Sequence, residues 1–203
     1  MSRWLRIWLV TVALLAGCAT TTFTSVWKAP DVQGVSPVGK SIAAVFVSAN
    51  ESRRRSAEDI LVADLNARGA HGIAGYSVLP EGGHTDSEQA RAKLKAAGAN
   101  AVITMRIVGR DQRVTYTPGY AMPPYYSAFG PYWGYGWGLA YQPGYLQTDT
   151  EVSVETLVYS FKADKLIWGS TSRTINPRNL DMLVNEVAEA TAKEMQRQGF
   201  LAP

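Results

Sequence analysis

The chain has 203 residues, 46% of them hydrophobic and 18% charged, with a net charge of only +3. That size suits one domain with a substantial core, and so weak a charge argues against a phosphate-binding, nucleic-acid surface. One cysteine and two histidines leave little material for an intrachain disulfide or a thiolate zinc site.

At the N-terminus Arg3 and Arg6 precede an apolar run, Leu9 to Ala16, too short to span a bilayer and followed by Gly17 and Cys18. This is the anatomy of a secretory signal peptide over residues 1–17. Its end, Leu15-Ala16-Gly17-Cys18, resembles the bacterial lipobox. That resemblance implies removal of the signal and acylation of Cys18, with covalent fatty-acyl (palmitate) chains as the only non-protein group. Ala19-Thr20-Thr21 lacks the aspartate that retains many lipoproteins in the inner membrane, so the expected site is the periplasmic face of the outer membrane. Two or more acyl chains make such attachment stable. With Arg3 and Arg6 gone, 18 basic residues face 17 acidic ones.

Residues 18–39, with Ala29-Pro30-Asp31 and Ser36-Pro37-Val38-Gly39, read as a lipidated tether carrying a short strand near Thr22 to Trp27. Fully extended, such a segment reaches roughly 65 Å. Phe23 and Trp27 are too apolar for a free tether and are expected to dock on the domain.

The domain pattern occupies residues 40–203. Ile42 to Val47 is a continuous apolar run of strand length. Ser56-Ala57-Glu58-Asp59 resembles a capping box and opens a helix through Ile60, Leu61 and Leu65 to Arg68-Gly69. Tyr76 to Pro80 reads as a short strand. A second capping box, Thr85-Asp86-Ser87-Glu88, opens a helix with Ala90, Leu94 and Ala97 on one face and Gly98 at its end. Asn100 to Tyr116 is the longest strand signal. Leu146 to Phe161 and Leu166 to Thr174 are two further strands about a turn at Ala163-Asp164. Leu180, Leu183, Val184, Val187, Ala188, Thr191 and Met195 repeat at helical spacing behind an Asn179 cap, and Arg197 and Gly199 close the helix. The reading is a single α/β domain (α+β as the alternative) with a mixed sheet of about five strands, ordered β-α-β-α-β-β-β-α, and a C-terminal packing helix. An antiparallel ladder that opposes Ile103 to Val158 also opposes Arg106 to Glu155, Ile107 to Val154 and, continued without a break, Arg110 to Glu151.

Gly98-Ala99-Asn100-Ala101-Val102-Ile103 resembles the helix-to-strand joint of periplasmic lipoproteins whose domain is like the N-terminal domain of TolB. Lys165-Leu166-Ile167-Trp168-Gly169 before the last helix resembles a common family of proteobacterial envelope lipoproteins. The resemblance implies a fold and an envelope accessory role, and carries no catalytic residues to transfer.

From Val114 to Thr148 no residue is charged, and Tyr116 to Tyr145 holds eleven aromatics, six glycines and five prolines. This 117–146 insertion joins the two strands of the ladder and should project from one end of the sheet. Its proline and glycine content argues against a regular helix. Tyr125, Tyr126, Phe129, Tyr132, Trp133, Tyr135 and Trp137 are candidate binding residues. Four uses stay open: a cover over the domain, contact with an envelope protein or a second copy, insertion at a membrane interface, and stacking on sugar rings. Arg53, Arg54 and Arg55, at or before a helix N-terminus, are candidates for an anionic headgroup or partner, although a solvated turn also explains them.

His71 and His84 each lie in a glycine-rich loop without a partner at metal-ligand spacing. No G-x-S-x-G elbow or dinucleotide fingerprint is present. The expectation is a protein without catalytic residues, metal or cofactor that binds through its aromatic loop. The alternative is an enzyme or binder acting on cell-wall polysaccharide or lipid.

Overall fold

The computed structural model describes residues 21–32, 34–80, 86–117, 129–130, 133–134, 137 and 144–201. Six strands form one mixed sheet: β1 (Thr21–Lys28), β2 (Ser41–Phe46), β3 (His71–Ala74), β4 (Ala101–Thr117), β5 (Tyr145–Ser160) and β6 (Lys165–Ile175). Their order across the sheet is β1-β6-β5-β4-β2-β3. β2 runs parallel to β3 and β4, and the other pairings are antiparallel. Helices α1 (Glu51–Ala67) and α3 (Leu180–Arg197) cover one face, and α2 (Ser87–Ala96) covers the β2–β4 part of the other. The path β2-α1-β3 moves outward along the sheet and β3-α2-β4 moves back, so helices on opposite faces give both crossovers the same hand.

The helix ends are local in origin. Asn50 accepts from the backbone N–H of Arg53 at 2.9 Å, and Asn179 from that of Met182 at 2.8 Å. Each helix then stops at a glycine in the left-handed region: Gly69, Gly98 and Gly199, at φ 79°, 86° and 64°. The next residue donates back five positions in every case: Ala70 to Leu65, Ala99 to Leu94, Phe200 to Met195. These are Schellman closures, each adding an apolar contact across the turn.

The first helix starts earlier than its sequence suggests. Asn50, not Ser56, is its cap, so Arg53, Arg54 and Arg55 lie within its opening turns. The expected strand at Tyr76–Pro80 is also displaced. β3 is His71–Ala74, and Gly75–Ser77 form a 3-10 turn. The cause is Glu58, wholly buried in the middle of α1. It accepts from the backbone N–H groups of Phe46 (3.0 Å) and Tyr76 (2.5 Å) and from Arg54 Nε (3.2 Å). One carboxylate thus fixes the end of β2, the turn after β3 and the helix between them. For the second helix, Asp86 precedes α2 without a side-chain capping bond, and Thr85 lies outside the described residues.

The stretch read as a tether is largely part of the domain. β1 adds a sixth strand beside β6, and Phe23 and Val26 pack with Trp168, Met195 and Phe200 under α3. Trp27 points to the opposite face and is 49% exposed, so only one of the two aromatics docks in this core. Lys28 Nζ donates to the carbonyl of Gln198 at 2.8 Å, placing a cation at the negative end of α3. Val35 then bridges Leu201. Burying one face of the segment makes docking more favourable than a free chain.

Candidate functional site

The carboxyl ends of β2 and β4 meet the N-termini of α1 and α3 at one end of the sheet. Open α/β sheets present ligand sites outside the carboxyl ends of their parallel strands, where the chain direction across the sheet reverses. Here that place is a cleft of about 580 Å³ bordered by Phe46, Ser48, Arg53, Ile107, Arg110, Asn176 and Arg178. Among the described residues no acidic side chain lines it. The positive ends of two helix dipoles add to the three arginines.

A single bulge brings Arg110 there. The ladder follows the expected register from Ile103 opposite Val158 through Arg106 opposite Glu155 to Ile107 opposite Val154. Val108 is then an extra residue, and Gly109 faces Ser153. Past the bulge every β4 side chain changes face. Arg110 therefore opposes Val152 on the helix side, not Glu151. Glu151 instead holds Arg113 (3.4 Å) and Arg173 (3.2 Å) on the other face. Arg106 pairs with Glu155 as expected, through contacts of 2.6 and 3.3 Å. The Val108-Gly109 step inside a strand is the signal that could have shown this, because glycine there often marks a bulge. Arg178 had no such signal; it enters through the turn after β6, where Asn176 sits at φ 51° and bonds Thr150 and Asp149.

The three consecutive arginines separate, because successive helix positions point about 100° apart. Arg53 borders the cleft. Arg54 is 4% exposed and is held by Glu58, Glu51 and the carbonyl of Pro80. It is a structural ion-pair partner, and its place in a surface patch is corrected: burial leaves it no access to a ligand. Arg55 pairs with Glu51 at 2.9 Å and lies 5.2 Å above the Tyr76 ring.

At the same end β4 and β5 outrun the sheet. β6 stops at Ile175 opposite Glu151, whereas the β4–β5 ribbon continues to Thr117 opposite Tyr145. Those six further residues per strand project about 20 Å. Val114, Tyr116, Tyr145 and Leu146 are exposed along the ribbon. Beyond it Phe129, Gly130, Trp133, Gly134 and Trp137 have helical backbone, contrary to the expectation from glycine and proline content. At a spacing of four residues the three rings meet one another, Phe129 and Trp133 tilted at 5.5 Å and Trp133 and Trp137 edge-on at 5.8 Å between centroids. Phe129, Trp133 and Trp137 remain 71%, 54% and 48% exposed. Tyr125, Tyr126, Tyr132 and Tyr135 lie outside the described residues, as do Cys18 and His84.

Among the described residues no group of three His, Cys, Asp or Glu side chains is placed to hold a metal, and no helix is long and apolar enough to cross a membrane. His71 is exposed at the start of β3.

No protein-family model matches the chain. No curated protein matches it either. Among solved structures, a point variant of the PelC dodecamer from Paraburkholderia phytofirmans is similar at 13% identity, over 83% of this chain and 95% of that one, with a TM-score of 0.47. A second PelC dodecamer from the same organism gives 11% identity, 88% and 98% coverage, and a TM-score of 0.45. Lipoprotein GNA1162 from Neisseria meningitidis gives 12%, 78% and 99%, with a TM-score of 0.43.

Proposed function

We propose that this is an envelope lipoprotein, held through Cys18 at the periplasmic face of the outer membrane, that acts by binding, not catalysis, and seats its aromatic arm in the leaflet that holds its lipid. The observation that carries this reading is that the N-terminus and the arm leave the sheet at the same end. Thr21 is level with Thr174 and Val152. Cys18 lies three residues earlier, at most about 10 Å away. From Val152 the ribbon advances seven residues to Tyr145, about 23 Å, before the loop begins. An anchored domain standing on that end therefore brings the arm to the bilayer interface.

The chemistry of the arm suits that position. Exposed Tyr and Trp rings concentrate at membrane interfaces, and no charge between Val114 and Thr148 has to be desolvated. A two-stranded ribbon is marginal in water by itself, and a leaflet that covers Tyr116, Leu146 and the three rings stabilises it. Arg53, Arg110 and Arg178 stand behind the arm at the level of anionic headgroups.

Photo-crosslinking in living cells from a probe at Trp133, with Cys18 intact, tests the proposal. Adducts to lipid are expected. A discrete protein adduct would replace the membrane reading by a partner or a second copy, and crosslinks confined to the same chain would make the arm a cover for its own domain.

A further inference from the structure

At the other end of the sheet α1, α3 and the strands border a second, apolar pocket of about 440 Å³ that opens to solvent. A space of this size and lining is typical of a small-molecule site. It is walled by Leu61 and Leu65 of α1, Ile103 and Met105 of β4, and Met195 and Phe200 at the end of α3. The space persists because α3 turns Ala188, Thr191 and Ala192 toward it. Those positions share one helical face, and larger residues there would close the gap to α1.

The lining and the charge at the mouth point to what fills it. Thr191 is 3% exposed and its hydroxyl is sealed within the wall, so the surface offered to an occupant is the apolar one. The mouth is cationic: among the described residues Lys40, Lys162 and Arg68 border it against one acid, Asp64, which Arg68 already engages at 2.7 and 2.8 Å. We propose that the cavity binds a single-chain anionic amphiphile, its acyl chain between the helices and the sheet and its charged head at Lys40 and Lys162. The proposed occupant is a free amphiphile and not the protein's own lipid, because Thr21, the first described residue, stands at the far end of β1, about 25 Å from the segment after Lys28 beside which the cavity opens.

The test is a titration of the Cys18→Ser chain, which keeps the described domain and dispenses with detergent, using 11-(dansylamino)undecanoic acid as probe. Saturable binding of one probe per chain is expected, with displacement by palmitate or by lysophosphatidylglycerol. The better competitor tells a free fatty acid from a lysophospholipid as the source of the chain. Ala192→Phe fills the space and should abolish binding. Lys40→Glu with Lys162→Glu should weaken it about threefold to tenfold without loss of fold. No saturable probe binding overturns the proposal. So does binding that is unchanged in the double lysine variant, whatever Ala192→Phe does to folding.

Discussion

Removing the carboxylate of Glu58 is the sharpest test of how this domain is held together. Glu58 is fully buried and receives three donors: the N–H groups of Phe46 and Tyr76 and the guanidinium of Arg54, itself 4% exposed. Glu58→Ala strands a buried cation, which costs about 3–5 kcal/mol, and orphans two backbone donors at about 1–3 kcal/mol each. These losses overlap, because Arg54 keeps Glu51 and Pro80 and water enters the gap. The expected net loss is about 4 kcal/mol, a large share of a typical domain stability, or about 8–16 °C in Tm for a chain of this size. Urea unfolding of the Cys18→Ser chain, followed by circular dichroism, measures it. A loss under about 1 kcal/mol would refute the reasoning, since a surface ion pair could explain that much. The pH dependence adds an independent check. Burial pushes the Glu58 pKa above its ordinary value of 4.5, outweighing the pull of Phe46, Tyr76 and Arg54. Between the unfolded and folded values the native state keeps a proton that the unfolded chain has lost. Stability relative to Glu58→Gln therefore falls as pH rises through that window and levels off above the folded value.

Three other perturbations follow from the same geometry. Gly75→Ala would place a methyl 2.9 Å from the Ala44 carbonyl oxygen and 2.9 Å from Val45 Cγ2, so a loss of about 1–3 kcal/mol is expected in the same unfolding assay. Asn179→Ala removes the cap of α3 and should cost about 1 kcal/mol, lowering Tm by about 2–4 °C. With Arg53, Arg110 and Arg178 all changed to Ala, affinity of the Cys18→Ser chain for phosphatidylglycerol vesicles, read by flotation, should fall by up to about a hundredfold, at about 1 kcal/mol per arginine. Phosphatidylcholine flotation should hold, and the difference should vanish in high salt.

By itself the sequence determined what is local. Asn179 and the three terminal glycines mark helix ends because caps and left-handed closures depend on a few adjacent residues. The apolar period of α3, the alternation of β5 and the apolar start of β6 after its turn named those elements, and the pairing of β4 with β5 held from Ile103 to Ile107 because one buried face selects one register. The uncharged aromatic arm was equally visible as composition. Only the tertiary structure decided the rest. Val108 as a bulge moves Arg110 across the sheet, and its energy depends on the strands on either side. Glu58 looks like a capping residue until Phe46 and Tyr76, distant in the chain, converge on it. The segment after Cys18 becomes an edge strand because β6 offers a free edge and α3 an apolar underside. The cleft and the cavity exist only between elements. Their walls come from residues far apart in the chain, and spacing along a sequence reports neighbours on one helix or strand, not the space left between several.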